Sequence, residues 1–189
     1  MPSAPRRGIR LLRVPSGSAI EKLEKAPLSK ARGTFARWVA MAGGAGLSPV
    51  APGTAGSAVG IVIFLALGRL PLPLFALTWL ALLALSIWAA DQAGREFGVV
   101  DDGRIVIDEV VGQLLALAPL LGGRSTWLLL VTGFVAFRVF DVWKPGLVGR
   151  AERTLPGGLG VVMDDVLAGV LAGLVVAAGV LAGLGAEPV

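Results

Sequence analysis

Apolar residues run along this chain in long unbroken blocks, with the charged and turn-forming residues collected between them. Five blocks follow residue 54. Ala55–Leu67 is short, and Leu70–Ala90 is uncharged throughout. Ile105–Leu121 carries Asp108 and Glu109 at its start, Thr126–Val142 is flanked by Trp127 and Trp143, and Val166–Leu184 is preceded by Asp164-Asp165. About 20 apolar residues cross a hydrocarbon core as a helix, and tryptophans anchor such spans at the interfaces. The pattern therefore predicts an all-α fold, a polytopic membrane helix bundle of about five spans. Ahead of the first span, Gly43-Gly44-Ala45-Gly46-Leu47-Ser48-Pro49-Val50-Ala51-Pro52-Gly53-Thr54 is too rich in Gly and Pro for a helix and reads as an ordered loop or re-entrant turn. Before it, Ser29–Ala42 suits a short interfacial helix, with Phe35, Trp38 and Val39 in lipid beside Lys30, Arg32 and Arg37. The heptapeptide AGVLAGL occurs at 168–174 and again at 178–184, and each copy holds a Gly-xxx-Gly spacing (Gly169/Gly173, Gly179/Gly183). Such spacing lets helices approach closely, within the chain in preference to between copies, and the oligomeric state is left open.

Composition agrees with a membrane protein and removes several chemistries. Of 189 residues, 55% are hydrophobic and 16% charged, against about 25% charged in soluble domains. The mean hydropathy is +0.79. Cysteine and histidine are both absent, which excludes disulfides, thiolate or imidazole nucleophiles and Cys/His metal sites. A metal bound here must be hard and oxygen-liganded, Mg²⁺ or Mn²⁺. The net charge of +4 is uneven, since nine of the 17 basic residues precede Trp38. Residues 1–37 thus read as a basic, loosely ordered arm and 38–189 as a membrane-embedded domain. The arm leads straight into membrane segments, so its partners are anionic lipid headgroups and not nucleic acid. It contains no apolar run suited to a signal peptide.

The positive-inside rule places the arm and loops 91–104 and 143–163 in the cytoplasm, leaving Arg69 and Arg124 in the two outer loops. Asp108, Glu109, Asp141, Asp164 and Asp165 then all fall at cytoplasmic span ends, level with the Gly/Pro loop. Asp108 and Asp164 could be helix N-caps, and Glu109 or Asp165 could complement a helix dipole. Asp141, at the end of its helix, has no such explanation. Five crowded carboxylates need cations, of which Arg138 and Lys144 supply part and a divalent metal the remainder. Arg138 and Asp141 share a helix face, and Pro145 should end that helix at Lys144. These residues form either an internal ion pair with a snorkelling lysine or a phosphate clamp beside a metal ligand. Thr54 and Ser57, with the backbone N–H groups around them, offer a further anion site at a helix start, or simply a cap.

Four blocks carry a resemblance. They are Ser48-Pro49-x-Ala51-Pro52-Gly53-Thr54-x-Gly56-Ser57, Ile105-Val106-x-Asp108-Glu109-x-x-Gly112, Phe137-Arg138-x-Phe140-Asp141-x-x-Lys144-Pro145, and Gly157-Gly158-x-Gly160-x-x-x-Asp164-Asp165-x-x-Ala168-Gly169. In this order the sequence resembles the phosphatidylglycerophosphatase A family over roughly residues 43–183. The resemblance implies a Mg²⁺-dependent phosphatase of a bacterial cytoplasmic (inner) membrane, with its site facing the cytoplasm, that converts phosphatidylglycerophosphate, an anionic phospholipid, to phosphatidylglycerol. It implies that Asp108, Glu109, Asp141, Asp164 and Asp165 hold one or two Mg²⁺ ions and perform the chemistry. Arg138 and Lys144 match the family's basic positions and, with Thr54 and Ser57, would bind the phosphate. Gln113, Gly146 and Pro156 depart from residues common in the family, where methionine, tryptophan and histidine stand; they bear on substrate fit. Two rival readings are a CDP-alcohol phosphatidyltransferase, whose single spaced aspartate motif Asp102-Gly103-Arg104 does not continue, and a non-catalytic ion-conducting or lipid-binding membrane protein.

Overall fold

The computed structural model describes residues 33–123 and 126–184, and among them every regular element is helical. Helix α1 covers 33–40, α2 Pro52–Leu67, α3 Leu72–Phe97, α4 Ile107–Leu117, α5 Trp127–Trp143, α6 Leu147–Thr154 and α7 Gly157–Leu181. Short 3₁₀ turns follow α1 at Ala42–Leu47 and α4 at Ala118–Leu120. Lys30, Arg32 and Arg124, with the rest of the arm up to residue 32, lie outside the described residues; positions 33–37 of the expected arm are already helix.

Each expected apolar block contains a helix, and the departures have local causes. The Gly/Pro stretch is only partly loop. Ala51 sits in the left-handed region at φ 49° and turns the chain, and Pro52 then opens α2 at its first position, where its missing N–H has no helical partner to lose. Helix α3 continues seven residues past Ala90, through Asp91 and Arg95, whose side chains pair one turn apart at 2.9 Å. Thr126 caps α5, accepting from the Leu129 N–H at 3.3 Å, and Lys144 closes that helix at φ 48° before Pro145. Helix α7 begins nine residues before the expected Val166, so Asp164 and Asp165 lie in its third turn and are not N-caps. The Gly157-Gly158 pair, within the expected loop 143–163, opens the helix and allows close approach. A Cβ at Gly158 would collide with the Ile87 carbonyl and the Asp91 backbone of α3. The amphipathic α6 was not foreseen, being short and polar.

Two helices, α3 and α7, are long and apolar enough to cross a membrane, and α2 is a shorter apolar helix. Helix α7 is the more buried of the long pair and packs against α3, α4, α5 and α6. Helix α4 is enclosed almost all round, including the polar Asp108 and Gln113. Large apolar side chains face outward instead. On α5, Leu128, Val131, Val135, Val139 and Val142 form one exposed stripe at helical spacing, as lipid contact demands.

Small residues set the helix spacing. Gly169 of α7 meets the Gly112 carbonyl of α4, and a Cβ on Gly112 would lie 2.6 Å from the Asp165 carbonyl and from the Phe137 ring. Gly173 approaches the Leu115 carbonyl and Gly179 the Leu129 side chain, so the repeated Gly-xxx-Gly glycines, Gly183 apart, pack within the chain. On the other side of α4, Gly53, Gly56 and Gly60 of α2 lie against Glu109, Val106 and Gln113.

Candidate active site

The carboxylates converge because two helices, α4 and α7, are locked together one turn away from them. Asp108 precedes Gly112 by four residues on α4, and Asp165 precedes Gly169 by four on α7. Close approach of the glycines therefore aligns the acids. Ligand oxygens of Asp108, Glu109 and Asp165 lie within 4.8 Å of one another, in a largely buried group. The other two expected acids are held by cations. Arg138 Nη1 stands 2.7 Å from Asp141 Oδ2 and 3.9 Å from Glu109 Oε1. Lys144 Nζ donates to Asp164 Oδ2 at 2.7 Å. Next to the acids, the backbone supplies two further bonds: the Glu109 N–H donates to Asp108 Oδ1 at 3.1 Å and the Asp165 N–H to Asp164 Oδ1 at 3.0 Å.

All seven of these side chains line one cleft of about 260 Å³, with Ala51, Pro52 and Gly53 forming part of its wall. Gly53 is required there, since any side chain would strike the Glu109 carboxylate and the Arg138 guanidinium. Thr54 and Ser57 are not brought into the cleft. Thr54 is exposed elsewhere, and Ser57 is buried with its hydroxyl donating to the Gly53 carbonyl at 2.9 Å. The Gly/Pro loop thus contributes backbone and close packing in place of hydroxyls.

One acid at the cleft was missed by sequence reasoning. Asp101, exposed on the α3–α4 loop, lines the mouth together with Gly103. The loop is pinned from several sides. Arg104 bonds both Asp102 oxygens at 2.7 and 2.8 Å, and this pairing holds the Asp102 carboxyl below its ordinary pKa. The same guanidinium lies 3.8 Å above the Phe97 ring, and the Val106 N–H donates to the Ala40 carbonyl at 2.8 Å. Nothing but the run of polar residues at 101–104 marks Asp101 in the sequence.

The donor set fits a hard divalent cation. Three carboxylate oxygens gather without thiolate or imidazole, the ligand chemistry of Mg²⁺ or Mn²⁺. Arg138 and Lys144 at the same cleft suit phosphate oxygens. A second cavity of about 300 Å³, between the end of α3 and the start of α7, holds the Asp91–Arg95 pair among glycines and gathers no such group.

Comparison with known proteins agrees with this chemistry. The family model described as phosphatidylglycerophosphatase A matches residues 38–180. A phosphatidylglycerophosphatase A of Escherichia coli (strain K12) is 36% identical over 128 residues, 68% of this chain and 73% of that protein. One from Haemophilus influenzae is 34% identical, covering 70% and 81%. A Bacteroides thetaiotaomicron protein provisionally named phosphatidylinositol-3-phosphatase is 41% identical, covering 71% and 86%. No solved structure gives a significant match. The matched region contains the whole carboxylate cleft, and the chain belongs to the phosphatidylglycerophosphatase A family.

Proposed function

We propose that this protein is a Mg²⁺-dependent phosphoric monoester hydrolase of a bacterial inner membrane that converts phosphatidylglycerophosphate to phosphatidylglycerol and phosphate. The observation that carries the reading is the meeting of a three-carboxylate group and two cationic side chains in one cleft. Asp108, Glu109 and Asp165 would hold the metal. When bound, Mg²⁺ supplies charge for the phosphoryl oxygens and acidifies water. Arg138 offers forked hydrogen bonds to the phosphate and Lys144 a point charge, while Asp141 and Asp164 hold these two cations in place. Water oxygen bonds to phosphorus as the bond to the glycerol oxygen breaks, and that oxygen leaves with a proton.

The helix directions support five crossings. The cleft collects the start of α2, the end of α5, the start of α4, the third turn of α7 and the loop after α3, which is what alternating passes produce. Helices α2 and α5 are roughly 24–26 Å long at 1.5 Å per residue, near a hydrocarbon thickness. Helix α4 is shorter, but its neighbours screen it from lipid. The excess of basic residues in the arm, at the end of α3 and in the loop after it, and between α5 and α7 would then set the cleft toward the cytoplasm.

The test is phosphate release by purified protein with Mg²⁺. Phosphatidylglycerophosphate should yield phosphatidylglycerol, and phosphatidic acid should react more slowly, its phosphate lying one glycerol unit nearer the tails. Phosphatidylinositol 3-phosphate belongs in the same assay because of the Bacteroides relative's name. Faster turnover of either alternative would reject the headgroup assignment, and no release from any would reject the enzyme.

A further inference from the structure

Three buried polar atoms lie one turn apart on α4 without a hydrogen-bond partner: Glu109 Oε2 and both amide atoms of Gln113, Oε1 and Nε2. Gln113 is fully buried and does not line the cleft, so neither the three-carboxylate group nor the phosphate clamp uses it. An unpaired amide in an apolar interior is costly, and native proteins leave few such groups without a role. Positions 109 and 113 share a helix face, with Cβ atoms about 5–6 Å apart. Both look toward α2. Gly53 lies against the Glu109 carboxylate, and a Cβ at Gly60 would be 2.8 Å from Gln113 Cβ and 3.0 Å from its Cγ. The glycine both makes room for the Gln113 stem and holds it close. One side chain has an unused donor and the other an unused acceptor, on one face and one helical turn apart.

We propose that Gln113 is a positioning residue for Glu109: its amide donates to Glu109 Oε2 and fixes that carboxylate for a divalent cation held with Asp108 and Asp165. This rests on the metal reading of the three-carboxylate group and adds to it a supporting residue one turn deeper. Polar groups that orient a metal ligand commonly tune affinity by about 10–100-fold. A rival reading pairs Gln113 with the Ser86 hydroxyl of α3, which is also buried without a bond. A Gln113–Ser86 pair would stabilise the bundle and leave the metal untouched.

The experiment titrates Mn²⁺ into the purified full chain by electron paramagnetic resonance and follows thermal unfolding of the metal-free protein. Gln113→Met keeps the side-chain volume and removes the amide. The expected result is a Mn²⁺ dissociation constant weakened about tenfold or more, with a metal-free Tm equal to or above that of the unaltered protein. In a Glu109→Gln background, Gln113→Met should weaken Mn²⁺ binding no further, because it acts through Glu109. Unchanged Mn²⁺ affinity with a lowered Tm would overturn the proposal in favour of the Ser86 pair. Additive losses in the double variant would overturn it too. An unaltered protein that binds no Mn²⁺ at all would remove the metal reading itself, a separate failure.

Discussion

Gly169 on α7 presses against the carbonyl of Gly112 on α4, so closely that neither helix could carry a side chain at that point. Asp165 and Asp108 stand one turn back on their respective helices. The distance between the carboxylates is therefore set by a contact that contains no chemistry. Gly169→Ala should force the helices apart, at a stability cost of about 1–3 kcal/mol for an overpacked contact. Activity should fall further than stability does. A ligand group loosened by an ångström loses on the order of 100-fold in rate. Activity measured on protein whose helicity and Tm show it folded would check this, and retention of full activity would uncouple the glycine contact from the site.

The division of the five acids predicts two classes of variant. Asp108→Asn and Asp165→Asn remove proposed metal ligands and should lower kcat by about two orders of magnitude, with weaker Mg²⁺ activation. Chelation should abolish turnover and added Mg²⁺ restore it. Asp141→Asn and Asp164→Asn release Arg138 and Lys144 and should raise KM for the lipid by roughly tenfold, about 1.4 kcal/mol, while leaving the Mg²⁺ requirement near its original value. Glu96→Gln, in an exposed pair with Arg37 at 3.0 Å, is the control and should stay active. A uniform loss across all four acids would mean that they act as a single ligand group.

How much of this was legible from sequence differs by residue, for physical reasons. Arg138, Asp141 and Lys144 were readable because helical spacing fixes which side chains share a face, and Pro145 fixes where the helix stops. Asp108, Glu109, Asp164 and Asp165 stood out as charges at the edges of apolar blocks. The start of α7 was not readable. Gly157 and Gly158 fall within the expected loop 143–163 until the α3 backbone they must admit is known. Thr54 and Ser57 matched an anion-binding pattern, yet a helix begun at Pro52 turns one outward and folds the other onto its own backbone. Sequence shows the composition of a helix start but not its rotation.

Asp101 is the clearest case of what a sequence hides, and it yields a prediction. An acid in a polar loop reads as solvated, but the Arg104 bonds to Asp102 and the stacking on Phe97 aim the loop at the cleft mouth. A carboxylate there would raise the electrostatic barrier to an incoming phosphate. Asp101→Asn should therefore change KM, by a few-fold up to about tenfold, with kcat within roughly twofold. Steady-state kinetics separates the two constants. A collapse of kcat would place Asp101 among the metal ligands.

Orientation is the prediction on which the cytoplasmic placement depends. In the proposed five-pass arrangement the cleft sits where α2, α4 and α7 depart and where α3 and α5 return, so every pass would have its chemically active end on one side. In that arrangement Arg69 and Arg124 belong to the two opposite connections and Arg95, Arg104, Lys144, Arg150 and Arg153 to the segments on the cleft side, and nine more basic residues precede Trp38 in the sequence. Basic residues in short loops resist translocation, so the cleft should face the cytoplasm. A reporter active only outside the cytoplasm should therefore respond when fused after Val189, beyond the fifth pass. It should stay silent when fused at Gly98 or Arg150, both on the cleft side. Activity at Gly98 with silence at Val189 would invert the protein and place the carboxylates away from the cytoplasm. Silence at all three would mean that an even number of passes follows the arm, and the five-span arrangement would fall while the cleft geometry stood.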